Sequence, residues 1–169
     1  MTSPNPFHKF NYLSVKVLKR FMTDISLEGK VIKGLRIASG MAEKPQDPRL
    51  NFTIMKQKPF FERHGIPRIT ETFNGTLNVD ISPKKFKIVK PDHEIECEWE
   101  NEVREKFWFV DGKISFGGKK YDAYVYYPCP SELKNHSDNI VEILTEKIEG
   151  IKYGDRIVFE TSGEKIEFY

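Results

Sequence analysis

Cysteine is scarce in this chain, which contains only Cys97 and Cys129 among its 169 residues. The two are not in CxxC spacing, which excludes a structural zinc site of the usual kind and a disulfide framework. Long hydrophobic runs are also missing, so no segment has the length of a membrane span. The N-terminal residues lack the apolar core of a signal peptide. We therefore expect a cytoplasmic protein in a reducing compartment.

Neither sign of charge dominates, since 27 Lys and Arg residues oppose 25 Asp and Glu residues. A net charge of +2 creates no global field toward nucleic acid or a membrane surface, and we expect neither as a partner. The common catalytic signatures are missing as well. There is no GxxxxGK[ST] phosphate loop and no GxSxG elbow, and the four histidines lack metal-ligand spacing.

Aromatic residues are abundant, with 13 Phe, 7 Tyr and 2 Trp, and this composition favours β structure. Short alternating segments with closely spaced turn signals predict a mainly β barrel of about seven to nine strands with two or three helices. Residues 1–26 are predicted to form a tail and an amphipathic helix, with Phe10, Leu13, Val17 and Phe21 at helical spacing. Residues 27–169 are predicted to form the barrel domain.

The individual elements follow from local patterns. Asp111-Gly112 is a two-residue hairpin signal. Glu94, Glu96, Glu98 and Glu100 alternate with apolar residues and predict a solvated strand face, paired with Lys and Arg of a neighbouring strand. Helices are predicted over 59–65 and 138–149. Strands are predicted over 29–35, 50–54, 75–81, 86–89, 94–100, both sides of Asp111-Gly112 and 121–127, with a closing hairpin over 156–168.

The segment from Asn74 to Ile81 is the most informative part of the sequence. It begins with an Asn-Gly turn signal and then alternates polar and apolar residues. In a strand, Thr76, Asn78 and Asp80 would lie on one face. Short oxygen-bearing side chains beside a glycine suit a hard cation or a phosphate, and an ordinary half-exposed strand gives the same pattern.

Glu142 is a second candidate, because it interrupts the apolar run Val141-Glu142-Ile143-Leu144. It either points at a ligand or is a first-turn carboxylate of the predicted 138–149 helix, stabilised there by the helix dipole. The sequence does not separate these two interpretations.

Several segments, taken in order, resemble the archaeal CTP-dependent riboflavin kinase family over about residues 28–160. The resemblance is strongest at Asn74-Gly75-Thr76-Leu77-Asn78-Val79. The other matching segments are Gly29–Leu35, Phe60–Ile66, Asn135-His136, Val141–Leu144 and Tyr153–Ile157.

The resemblance implies a small Greek-key barrel of the cradle-loop type that transfers phosphate from CTP to riboflavin, giving FMN. It implies that Thr76 and Asn78 hold Mg²⁺ with the nucleotide phosphates. It also implies that Glu142 contacts the flavin, and that Gly34 and Leu35 contact the nucleotide. The implied partners are riboflavin or FMN and a nucleoside triphosphate.

Two alternatives stay open. One is a non-catalytic module on the same barrel that binds a flavin, a nucleotide or another phosphorylated small molecule. The other is a protein-interaction domain that docks through the predicted N-terminal helix. The fold alone does not choose among the three, because one fold hosts many functions.

Overall fold

The computed structural model describes residues 24–34, 39–40, 49, 51–129 and 137–169. Its helical elements within these residues are one α-helix, α1 (Thr53–Arg63), and a 3-10 turn at Ile69–Glu71. The strands are β1 (Asp24–Ile32), β2 (Leu77–Asp80), β3 (Phe86–Ile88), β4 (His93–Glu100), β5 (Val103–Phe116), β6 (Lys119–Cys129), β7 (Ile140–Thr145), β8 (Arg156–Ser162) and β9 (Ile166–Phe168).

Six of the strands close into an antiparallel barrel. Around the barrel their order is β1-β2-β7-β6-β5-β8, and β8 pairs with β1 to complete the ring. Strand β4 extends the sheet outside this ring by pairing with the first half of β5, while β3 and β9 form a separate ribbon. The predicted mainly β barrel is confirmed. The predicted N-terminal helix lies outside the described residues, and the division at 26/27 stays a prediction.

Strands β5, β6 and β7 of the barrel are buried on both faces, and each face belongs to a different core. Inside the barrel lie residues such as Val79, Val125 and Val141. The alternate residues on the outer face pack under α1 and β4, as Phe109 and Tyr126 do against Phe61 of the helix. Because successive strand residues point to opposite faces, one layer of strands serves both cores.

Gly112 lies within the continuous strand β5, so the predicted hairpin at Asp111-Gly112 is wrong. At this point β5 leaves β4, which it pairs up to Phe109, and begins to pair with β8 at Lys113. A Cβ at Gly112 would lie 2.6 Å from the Glu160 carbonyl oxygen and 2.6 Å from Cε2 of the Phe159 ring. Glycine is therefore needed for the close approach of β8 and not for a turn.

Strand β7 occupies part of the segment 138–149 that was predicted to be a helix. Val141 and Ile143 face the barrel interior, and Leu144 belongs to the outer core. A strand buried on both faces has an almost continuous apolar run, and its periodicity resembles that of a buried helix. Pairing with β2 on one side and β6 on the other determines its conformation.

Helix α1 begins earlier than predicted, so the predicted strand over 50–54 is wrong. The predicted helical turn at 59–65 is the C-terminal half of α1, and Pro59 lies inside the helix instead of at its start. Its buried face consists of Ile54, Gln57, Lys58 and Phe61, at helical spacing. Neither α1 nor the 3-10 turn, the helical segments of the described residues, is long and apolar enough to cross a membrane.

Two further predictions have opposite outcomes. The chain does not end in a β8–β9 hairpin, because β8 pairs with β1 and β5 while β9 pairs with β3.

The charged face of β4 is as predicted. Glu94 pairs with Lys106 and Glu96 with Arg104 on β5, both at 2.7 Å.

We predict that Gly112→Ala lowers the free energy of unfolding by about 1–3 kcal/mol, because the added methyl group must displace the backbone of β8. Without the close contact, the same change inside a strand would raise stability by about 0.5–1 kcal/mol. Urea unfolding followed by tryptophan fluorescence gives the sign directly.

Ser115→Ala on the same strand is the control, and we expect it to change stability by less than about 0.5 kcal/mol. A Gly112→Ala variant that is as stable as the parent, or more so, would refute the barrel closure at this position.

Candidate functional site

The pairing of four strands places two of the predicted site residues, Asn78 and Glu142, in one row. Ile32 of β1 lies opposite Asn78 of β2, and Asn78 lies opposite Glu142 of β7. The β6–β7 register pairs Val125 with Ile143, which sets Tyr126 next to Glu142. Directly opposed residues on antiparallel strands have Cβ atoms about 5 Å apart and share a face. The row therefore joins side chains that are far apart in sequence.

This row lies on the outer face of the barrel, beneath α1. Tyr126 belongs to the outer core with Phe61, and its hydroxyl donates to Gln57 Oε1 of α1 at 3.0 Å. Burial is the main reason that the pKa of the Tyr126 phenol lies well above its usual value, and the charge of Glu142 adds to the effect. The barrel forms the floor of the site, and α1 lies over it on the side of Tyr126.

Thr76, Asn78 and Glu142 contact one another. The Thr76 hydroxyl donates to Glu142 Oε1 at 3.3 Å, and Asn78 Nδ2 lies 3.3 Å from both Thr76 Oγ1 and the Thr76 carbonyl oxygen. These distances are long for hydrogen bonds, so each bond is weak. The structure thus brings together both predicted metal ligands and the predicted substrate-binding residue.

Asn78 is 7% exposed, and its Oδ1 atom is buried and has no hydrogen-bond partner among the residues that the structure describes. Rotating the amide would place its oxygen against the Thr76 carbonyl oxygen, so the observed orientation is the favourable one. Buried carbonyl oxygens almost always have a donor, and each exception needs an explanation. An unsatisfied oxygen in this row is what a site for a donor group or a cation would show.

Gly34 covers the Asn78 amide. A Cβ at Gly34 would lie 2.7 Å from Asn78 Cγ and 3.0 Å from Oδ1, so any side chain there would push the amide aside. Of the two predicted nucleotide-binding residues, Gly34 therefore contacts a predicted metal ligand. Leu35 lies outside the described residues.

Asp80 does not join the site, although it was predicted to share a face with Thr76 and Asn78. Its Oδ1 atom accepts bonds from the Ser82 amide and hydroxyl and from Asn139 Nδ2, at 2.7–3.0 Å. These bonds, those from Ser82 first, lower the pKa of Asp80. Its carboxylate secures the turn after β2.

Sequence reasoning missed the polar residues of α1. Lys58 donates to Asn74 Oδ1 at 2.7 Å and to the Thr72 carbonyl oxygen, in the segment that leads through Thr76 into β2. Gln57 reaches Tyr126 from the same helix. A signal was present, because Gln57 and Lys58 occupy the apolar face set by Ile54 and Phe61. This pattern indicates that Gln57 and Lys58 are buried only if the helix begins at Thr53.

The donor set of the row suits magnesium. No group of three or more His, Cys, Asp or Glu side chains in the described part of the chain is arranged to hold a metal ion. A cation here would depend on Thr76 and Asn78, with the Glu142 carboxylate adjacent. Mg²⁺ prefers oxygen ligands, takes few from the protein and keeps its waters. The unsatisfied Asn78 oxygen fits such an ion. The Asn78 Oδ1 atom is buried, so binding of a metal ion requires movement of the Asn78 side chain or of the backbone at Gly34.

The sequence matches no protein-family model and no curated protein.

We predict that Asn78→Leu leaves the free energy of unfolding unchanged or raises it by about 1 kcal/mol. The leucine has a similar shape and removes a buried acceptor that has no partner, while only long, weak bonds are lost. Residues kept for function often reduce stability in this way. Thermal and urea unfolding of the ligand-free protein measure the effect.

Asn139→Leu is the matched control. Asn139 donates to Asp80 and to Ser82 Oγ at 2.9–3.0 Å in a partly exposed turn, so its replacement removes two ordinary hydrogen bonds, one of them to a carboxylate, and should cost about 1–2 kcal/mol. Equal losses in the two variants would mean that Asn78 is an ordinary structural residue.

Proposed function

We propose that this chain is a riboflavin kinase-like phosphotransferase, built on a Greek-key barrel of the cradle-loop type. It transfers phosphate from a nucleoside triphosphate, CTP by the resemblance, to riboflavin and so forms FMN. One observation carries the proposal. Gly34, Thr76, Asn78 and Glu142 belong to three separate segments, and four of the five predicted site residues meet in one place.

The reaction needs phosphate and acceptor held side by side, and the contacts in the row suit that need. The 5′-hydroxyl oxygen of riboflavin bonds to the γ-phosphorus, the bond from that phosphorus to the β–γ bridging oxygen breaks, and the hydroxyl proton leaves to solvent. Most of the catalysis in such a transfer is positioning and charge stabilisation. Strong acid–base groups are therefore not required.

Each residue has a role that its position permits. Thr76 and Asn78 would hold Mg²⁺, which when bound neutralises phosphate charge. Gly34 has no side chain, so the backbone there can lie close to the Asn78 amide. The nucleotide would bind against this backbone at Gly34. Glu142 lies 3.3 Å from Thr76 and can accept a hydrogen bond from a flavin group. The proposed flavin contact on β7 is thus a neighbour of the proposed metal ligands, which are Asn78 on β2 and Thr76 just before it.

A second function is favoured by the closed state of the row. Thr76 and Glu142 are bonded to each other, and the Asn78 oxygen is sealed from solvent. A module that binds a flavin, a nucleotide or another phosphorylated small molecule without turnover needs these side chains to separate once, when the ligand enters. The same assay separates the two functions.

We predict that the purified full-length chain forms FMN from riboflavin and Mg²⁺ with one or more of CTP, ATP, GTP and UTP. Asn78→Leu should lower kcat/KM by about 100-fold, the size of effect expected when a metal ligand or its support is lost. Glu142→Gln should raise KM for riboflavin by about 10-fold, as expected for a weakened charged hydrogen bond. Chromatography of FMN gives the rates.

Asn101→Ala and Glu96→Gln are the matched controls, since both residues are exposed and lie on the β4–β5 hairpin. Both should retain the parent's activity. If no nucleotide yields FMN, the kinase function is wrong. Thermal stabilisation by riboflavin, FMN or a nucleotide would then identify the binding module.

A further inference from the structure

Lys58 has a buried positive charge with an unusual environment. It projects from α1, is 6% exposed, and its ammonium group donates to Asn74 Oδ1 at 2.7 Å and to the Thr72 carbonyl oxygen. Both acceptors are formally neutral. An ammonium group has three N–H donors, so one donor is left after these two bonds.

No carboxylate among the described residues pairs with Lys58. Its burial lowers the pKa of the ammonium group, and no acidic side chain of residues 24–34, 51–129 or 137–169 opposes that effect. Buried lysines are nearly always paired with an anion. Lys56, two residues earlier on the same helix, shows the usual arrangement, because it is partly exposed and forms an ion pair with Glu100. Within the described part of the chain, Lys58 therefore lacks the counter-charge that its burial calls for.

The position of Lys58 points to where that counter-charge belongs. The segment Thr72–Asn74 that it holds leads through Gly75 directly into Thr76. The Phe73 amide donates to the Thr145 carbonyl oxygen at 2.7 Å, which fixes this segment to β7, the strand that carries Glu142. The Lys58 ammonium group thus bonds to Thr72 and Asn74, which lie a few residues before Thr76 and Asn78.

We infer that Lys58 completes a phosphate-binding site beside Thr76 and Asn78. The anion that pairs with its ammonium group is a phosphate group of a polyphosphate ligand. Lysine binds phosphate as a point charge, and the third N–H of the ammonium group is the donor for this contact. A polyphosphate carries more negative charge than one Mg²⁺ neutralises. The assignment deepens the proposed function and rests on it for placing the phosphates at this strand.

The test uses inorganic pyrophosphate with MgCl₂ as the probe and isothermal titration calorimetry on the full chain. Lys58→Met keeps the length and the apolar stem of the side chain and removes the charge, and it should weaken pyrophosphate binding at least 30-fold. Lys58→Arg keeps the charge and should bind within about 10-fold of the parent. Lys56→Met is the matched control and should bind as the parent does.

A second measurement does not depend on how well Lys58→Met folds. Reductive ¹³C-methylation labels the lysines, and NMR follows the Lys58 signal, assigned by its loss in Lys58→Arg. Bound pyrophosphate should raise the pKa of Lys58, because an adjacent anion favours the charged form, and the Lys56 signal should not move when pyrophosphate is added. A merely structural lysine would show no such shift.

The outcomes separate this inference from the proposed function. If the parent does not bind pyrophosphate, or if Lys58→Met binds it as the parent does, the inference is wrong even where FMN is formed. If binding depends on Lys58 and no nucleotide yields FMN, the phosphate site stands and the kinase function falls. An unchanged Lys58 pKa at saturating pyrophosphate also overturns the inference.

Discussion

The contact between Gly112 and strand β8 is the constraint on which the rest of the fold depends. Without closure, β8 and the second half of β5 would each have an unpaired edge, and the pairing of Lys113–Ser115 with Val158–Glu160 joins these two edges. That pairing is possible only where β8 approaches without meeting a side chain. The Phe159 ring then occupies the interior space that a larger residue at Gly112 would need.

Closure also fixes the candidate site. In a closed barrel no strand can shift its register without disturbing its neighbours, and a shift by one residue would exchange the two faces. Asn78 and Glu142 therefore stay opposite each other on the outer face while Val79 and Val141 stay inside. The polar row has a fixed geometry because an apolar core lies behind it.

The local features of the site could be predicted from sequence, and the non-local ones could not. The shared face of Thr76 and Asn78 follows from the two-residue period of a strand. Glu142 is a candidate because it interrupts an apolar run and because the family resemblance points to it. Its contact with Thr76 depends on the β2–β7 register, for which the sequence contains no local signal. Asp111-Gly112 has the sequence of a turn, but a partner strand 48 residues further on, at Glu160, decides its conformation.

Helix α1 begins after Phe52, which has a left-handed conformation and no side-chain cap. Because no capping residue marks that start, Lys58 and Gln57 were not seen as part of the buried helical face.

The two parts that enclose the row come from different layers of the molecule, and this has an evolutionary consequence. Asn78 and Glu142 are anchored in the barrel, whereas Gln57 and Lys58 reach the site from a helix whose packing against the barrel depends mainly on Ile54 and Phe61. On the proposed function, substitutions on α1 would change which ligand is accepted without altering any strand pairing. Such a scaffold allows ligand preference to diverge quickly among descendants while the barrel is retained.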